Sequence, residues 1–139
     1  MSKNWFHDMV VMHQKYGVDK WMEKEKKSEW SRLEKFMQFR LAMMQEELDE
    51  TKNAVAKKDP EEIVDGIIDL CVFAIGTLEV FGVDANKAWD QVYKANMSKE
   101  VGIKEGRPNP LGLPDLVKPE GWQGPTHEGN HGNISDSFQ

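Results

Sequence analysis

One cysteine, Cys71, stands in the 139-residue chain, which excludes a disulfide framework and a thiolate zinc site. Its place inside an apolar run marks it as a packing residue. No histidine occurs between His13 and His127, so the Glu-x-x-His pairs of di-iron bundles have no place in the middle of the chain. Positive charge is also short: 18 Lys and Arg stand against 24 Asp and Glu, a net charge of -6. The basic stripe of a nucleic-acid binder is therefore missing, and no nucleic-acid polymer is expected as a partner. An acidic chain can still take an anionic nucleotide when metal ions stand between them.

Long hydrophobic runs are lacking too. The best one, from Ile63 to Val80, is broken by Asp65, Asp69 and Glu79, so no membrane span is expected. The first residues show no basic stretch followed by an apolar one, so no signal peptide is read and the expectation is a cytoplasmic protein. Proline and glycine are sparse until Gly102, after which fall five of the six prolines and, counting Gly102, seven of the eleven glycines. The expected organisation is a helical domain over residues 1–100 and an irregular Gly/Pro-rich tail over 101–139, its last dozen residues flexible.

Within 1–100 the apolar periodicity is helical. Trp5, Phe6, Met9, Val10, Met12, His13 and Tyr16 give a short amphipathic helix ending near Gly17. Residues 18–30 are mostly charged and ambiguous, with Trp21, Met22 and Trp30 as possible anchors. A long helix follows from about Glu29 to Ala56, its stripe formed by Leu33, Met37, Leu41, Met44, Leu48 and Val55. Asp59 and Pro60 then supply an N-cap and a first helical position. The helix they start runs to Phe81 and stops at Gly82. Asp84 can cap a last helix reaching about Met97, with Ala85, Ala88, Trp89, Val92 and Tyr93 available for packing. The fold class is all-α, a bundle of four to five helices with antiparallel neighbours.

The helix from Pro60 carries the chemistry. Ile63, Val64, Ile67, Ile68, Leu70, Cys71, Ala74, Ile75 and Leu78 cover most of its circumference, as in a buried helix. That surface exceeds what three neighbouring helices can cover, so oligomerisation is expected to complete the core. Glu62, Asp65 and Asp69 fall within about 60° of one another on the same helix. Like charges at these spacings repel, and no His, Lys or Arg lies in the stripe to offset them. The preceding helix supplies Glu46, Glu47, Asp49 and Glu50, of which Glu47 and Glu50 share a face toward the partner helix, Glu46 lies at its margin and Asp49 points away. At 1.5 Å per residue, Glu50 and Glu47 lie about 10 and 15 Å from the turn, and Glu62, Asp65 and Asp69 about 3, 7.5 and 13.5 Å. A hairpin brings the two sets face to face. A set of carboxylate oxygens alone suits a hard cation that keeps several waters and accepts phosphates, Mg²⁺ or in its place Mn²⁺. Most of these acids also have a plain alternative, Glu62 as the partner of Asp59 in a capping box and Glu46, Glu47, Asp49 and Glu50 as solvated helix charges, whereas Asp65 and Asp69 have none comparable.

The residues that carry this pattern resemble the MazG-like, all-α nucleoside triphosphate pyrophosphohydrolases, in particular their short phage-borne forms. The resemblance runs from about residue 6 to 122. It includes Met12-His13-Gln14-Lys15-Tyr16-Gly17, Arg40-Leu41, Glu46-Glu47-Leu48-Asp49-Glu50, Glu62-Ile63-Val64-Asp65-Gly66-Ile67-Ile68-Asp69, Gly76-Thr77, Asn96-Met97-Ser98-Lys99 and Lys118-Pro119-Glu120-Gly121-Trp122. It implies Mg²⁺-dependent hydrolysis of a (deoxy)nucleoside triphosphate to the monophosphate and pyrophosphate by metal-activated water. Glu47, Glu50, Glu62 and Asp65 would be the metal-binding acids and Asp69 a further ligand or water-positioning group; Glu46, Glu47, Glu50 and Asp69 form the candidate catalytic set. The resemblance further implies that Asn96 and Lys99 approach the phosphates and that His13 lines the nucleotide pocket. Trp89, Tyr93 and the tail would contribute to base stacking or closure. A homodimer or homotetramer in the cytoplasm, the host's if the chain is phage-borne, completes the expectation. Two alternatives stay open: a relative acting on dUTP or phosphoribosyl-ATP, and a non-catalytic helical oligomerisation module.

Overall fold

The computed structural model describes residues 4–27, 30–107 and 109–138; the side chain of Trp30, an expected anchor, lies outside them. Five α-helices form among the described residues: α1 (Trp5–Tyr16), α2 (Val18–Glu25), α3 (Trp30–Ala56), α4 (Pro60–Val80) and α5 (Ala85–Met97). The all-α class is as the periodicity predicts. No single helix among the described residues is long and apolar enough to cross a membrane.

The chain divides into two compact units, one of residues up to 85 together with those from 129 on, the other of residues 86–128. This differs from the division at residue 100 read from composition, because the end of the chain returns to the first unit. There the Asn133 amide donates to the Phe81 carbonyl (2.6 Å), and Asn130 exchanges two hydrogen bonds with the backbone of Asp84 (2.8 and 3.0 Å). Only glycine permits this approach at position 132, since a Cβ there would lie 2.0 Å from the Phe81 oxygen. A short 3-10 turn at Ser135–Ser137 follows, and Ile134 packs on the core.

In the first unit, Asn4 caps α1 by accepting the His7 N–H (3.1 Å), and Gly17 ends it in the left-handed region at φ 77. The ambiguous segment after Gly17 becomes α2. Its Trp21 and Met22 join Leu33, Phe36, Val80 and Phe81 in the core, with ring centroids 4.9 Å apart for Trp21 and Phe36 and 5.8 Å for Phe36 and Phe81. The buried Glu25 pairs with Arg32 of α3 (2.5 Å). The ordering of this charged segment thus follows from two apolar anchors, Trp21 and Met22, and one ion pair.

The α3–α4 hairpin is closed by local chemistry. Lys58 takes a left-handed conformation (φ 56), and the amides of Lys58 and Asp59 donate to the Val55 and Ala54 carbonyls, 3.0 Å each, satisfying the end of α3. Asp59 then accepts the Glu62 N–H (3.2 Å), with Pro60 at the first helical position of α4. At the far end the Gly82 and Val83 amides repeat the motif on Glu79 and Leu78.

One expectation, the rotation of α3, is corrected here. The stripe of α3 that meets α4 contains Arg40, Thr51 and Ala54, all buried, whereas Leu41, Leu48 and Val55 are exposed. A close approach sets this rotation: a Cβ on Gly66 would lie 2.1 Å from Thr51 Oγ1, so the helices meet backbone to β-carbon at that level. The helix α4 is also not enclosed within one chain. Val64, Ile67 and Ile68 are 61%, 50% and 44% exposed, and Cys71 is half-buried, while α1, α2 and α3 pack against other parts of the helix.

The second unit holds most of α5 and an unforeseen two-stranded antiparallel sheet, β1 (Glu100–Gly102) with β2 (Asp115–Val117), Val101 opposite Leu116. The Trp122 indole N–H donates to the Ala95 carbonyl and to Ser98 Oγ (both 2.9 Å), tying the following loop to the end of α5. Asp115, 4% exposed, accepts the Lys104 amide (3.1 Å) and pairs with Arg107. The Lys104 hydrogen bond, helped by Arg107, holds its carboxyl below the ordinary carboxylate range. A depressed folded value means stability that is complete above about pH 4 and lost as pH falls through the depressed value. The protection of the β1 and β2 amides, measured against the intrinsic exchange rate at each pH, should therefore fall only in acid, and Asp115→Asn should remove that dependence.

Candidate active site

The hairpin puts the acids of α3 and α4 side by side. The Thr51–Gly66 contact fixes the register: counting one residue for one along the antiparallel pair, Glu47 stands opposite residues 69–70 and Glu50 opposite residues 66–67. Glu47 is half-buried, with the Glu50 carboxylate near it on the same helix face. Partial burial raises its proton affinity above the ordinary carboxylate value, and the charges of Asp69, Glu50 and Glu46 raise it further. The structure thus brings Glu46, Glu47, Glu50 and Asp69 within electrostatic reach of one another. Asp65 and Glu62 lie one and two turns from Asp69 toward the hairpin turn, on the same helix face.

Glu46, Glu50, Glu62, Asp65 and Asp69 are exposed in the single chain, so the reading of α4 as a buried helix does not hold at the last three. Their grouping, and not their burial, sets them apart. Among the described residues none of the six enters an ion pair with Lys, Arg or His. Nor do three His, Cys, Asp or Glu groups among them converge closely enough to hold a metal ion, as mutual repulsion of like charges disposes. Two plain alternatives are also resolved. The Asp59 amide is taken by Ala54, so Glu62 is not the return partner of a capping box. Asp49 accepts from Gln45 (3.0 Å) on the exposed side of α3.

Next to the acids lies a cavity of about 550 Å³ among α1, α2, α3 and α4. Its walls include Met9, Trp21, Phe36 and Phe73, and its polar groups include His13 and Arg40. Met43 and Val72 also line it. Met43 stands one turn before Glu47 on α3 and Val72 nearly one turn after Asp69 on α4, so cavity and acids are neighbours along one hairpin face, about 5–6 Å apart in helical rise.

His13, 3% exposed, is held from both sides. Its Nδ1 pairs with Glu79 of α4, and its Nε2 faces an Arg40 nitrogen at 3.4 Å. Arg40 is 8% exposed and stacks over the Phe36 ring at 4.9 Å. Burial lowers its proton affinity from the ordinary value, and the Glu79 carboxylate opposes that shift. Gly76 leaves room for the group: a Cβ there would meet Met9 Cε at 2.8 Å and Arg40 Nη1 at 3.2 Å. Arg40, Glu79, Thr51 and Gly76 were not singled out as site or contact residues from composition and spacing. An arginine on the inward face of α3 and glycines inside an apolar helix were the available signals. Asn96 and Lys99 belong to the second unit, where Asn96 is exposed and the Lys99 ammonium lies 5.4 Å from the Trp122 ring centre.

The model of the phosphoribosyl-ATP pyrophosphohydrolase family matches residues 17–96, more than half of the chain and a span that includes all six acids. No curated protein and no solved structure gives a significant match. The family shares its MazG-like all-α superfamily with the nucleoside triphosphate pyrophosphohydrolases and consists of hydrolases that act on phosphoanhydrides. This chain belongs to the phosphoribosyl-ATP pyrophosphohydrolase family.

Proposed function

We propose that the chain is a Mg²⁺-dependent nucleoside triphosphate pyrophosphohydrolase of the short, phage-type MazG-like form. The observation that carries this reading is the adjacency of the acids Glu46, Glu47, Glu50 and Asp69 to an aromatic-walled cavity on one hairpin face. A nucleotide has the same two parts, a polyanion and a flat ring, one sugar apart.

The donor set fits a hard divalent cation: carboxylate oxygens with no thiolate, no imidazole and no paired cationic side chain. Glu47, Glu50, Glu62 and Asp65 would hold it, with Asp69 completing the set. When bound, Mg²⁺ offsets the phosphate charge that otherwise repels a nucleophile. The remaining work falls to the chain. Glu46 and Asp69 orient a water toward the α-phosphorus and take up its proton. The water oxygen bonds to that phosphorus as the bridge to the β-phosphate breaks, releasing monophosphate and pyrophosphate. Positioning and electrostatics suffice for such a transfer, so no Ser or Cys nucleophile is required.

A second reading is supported by the family match itself, hydrolysis of phosphoribosyl-ATP. A panel of ribo- and deoxynucleoside triphosphates and phosphoribosyl-ATP, assayed for pyrophosphate with Mg²⁺, separates the two. Turnover of the triphosphates is expected; turnover of phosphoribosyl-ATP alone would transfer the site to the second reading. A second copy of the chain would cover Val64, Ile67 and Ile68, whose exposure on α4 is otherwise unfavourable. Sedimentation should show a dimer or tetramer at micromolar concentration, and a clean monomer contradicts it.

A further inference from the structure

We infer that Arg40 selects the base: the cavity takes rings that carry a carbonyl oxygen, namely guanine, uracil, thymine or cytosine, in preference to adenine. The inference rests on the nucleotide reading above and deepens it. Its starting point is a charged side chain that is 8% exposed on the wall of a largely apolar cavity. Burying a guanidinium is costly unless its donors are used and its charge is offset. The charge is offset by Glu79 across His13. The donors are mostly not used. Guanidinium has five N–H groups, and among the described residues the one hydrogen-bond partner of Arg40 is His13 Nε2, at a long 3.4 Å.

The direction of that bond follows from the pairing on the other side of the ring. With Nδ1–H donated to the Glu79 carboxylate, Nε2 is an acceptor and receives from Arg40. His13 thus stands between the two charged side chains, and it spends its acceptor on Arg40. Phe36 covers one flat face of the guanidinium at 4.9 Å, one nitrogen faces His13, and Arg40 lines the cavity, so its remaining N–H groups are what it can offer a ligand there. An edge of donors next to aromatic walls recognises a flat ring with acceptors on its rim. A carbonyl oxygen is the strongest such acceptor, and guanine adds N7 beside it for a bidentate contact. Adenine has no carbonyl and presents an amino group that donates. Against it Arg40 meets donor with donor at one position or stays unpaired, and unpaired buried donors are what a polar site discriminates with.

The test compares kcat/KM for ATP, GTP, CTP and UTP, and for their deoxy forms, in the parent, Arg40→Lys and Arg40→Gln. The parent should favour at least one carbonyl-bearing base over adenine by tenfold or more, and both variants should bring that ratio toward one. Circular dichroism and a thermal melt identify a variant that fails to fold. Calorimetric binding of adenosine, guanosine, cytidine and uridine to the parent, which carry the bases without phosphate, then gives the same ranking without any variant or metal. Equal or tighter binding of adenosine, or no binding of any of the four, overturns the inference, as does a carbonyl preference that survives in folded Arg40→Gln. Absence of turnover on every nucleotide would strike instead at the hydrolase reading, which the binding ranking does not depend on.

Discussion

Glu47→Gln, Glu50→Gln and Asp65→Asn each lower kcat/KM for nucleotide hydrolysis by about 10²-fold or more, with the helical circular dichroism unchanged. The size follows from the kinds of charge stabilisation these groups would provide, each worth several kcal/mol in a barrier. Glu47 sits among Asp69, Glu50 and Glu46, and no cationic side chain among the described residues pairs with any of them. Removing one charge therefore relieves repulsion in the free protein. With chelator present, these variants and Asp69→Asn should melt at the parent temperature or slightly above it. The gain stays below about 1 kcal/mol because most of the groups are exposed and screened. The stabilisation that Mg²⁺ adds should shrink in the same variants, since it grows with metal as RT ln(1 + [L]/Kd). Near-normal turnover in any two of the three carboxamide variants contradicts the assignment.

Gly66→Ala destabilises the fold by about 1–3 kcal/mol, although alanine is the better helix former. A Cβ at 66 would meet Thr51 Oγ1 at 2.1 Å and Thr51 Cβ at 3.2 Å, and a β-branched side chain has no room to withdraw. Thr51 Oγ1 is moreover committed to the Glu47 carbonyl (2.7 Å), so displacing it disturbs the turn that carries Glu47. Activity should fall along with the urea midpoint. Thr51→Ala in the Gly66→Ala background removes the closest clash and should recover part of the loss. A Gly66→Ala protein as stable as the parent would show that the hairpin separation is not set at this contact.

The boundaries of α1, α3 and α4 were legible because each is marked by a residue whose chemistry acts locally: Gly17, Asp59 with Pro60, and Gly82. The acid pattern was legible because helical spacing alone places Asp65 and Asp69 on one face. What spacing cannot convey is rotation. Leu41 and Leu48 fit the apolar stripe of α3 as well as Arg40 and Thr51 fit badly, yet the latter pair faces α4. Gly66 decides this from the neighbouring helix, through a contact between residues fifteen positions apart. The Glu79–His13–Arg40 group depends on a pairing across 66 residues, which no local pattern announces. The order of α2 and the return of residues 129–138 depend in the same way on distant partners, Arg32 for one and Phe81 for the other.

The central claim is that the carboxylates on α3 and α4 act together as the metal-binding part of a nucleotide site. Calorimetric titration of Mg²⁺ into the protein holding a non-hydrolysable α,β-methylene nucleoside triphosphate tests it most directly. Saturable binding is expected in the parent, greatly weakened in Glu47→Gln and in Asp69→Asn. Binding of equal strength in parent and variants, or none in the parent beyond that of the free analogue, would contradict it.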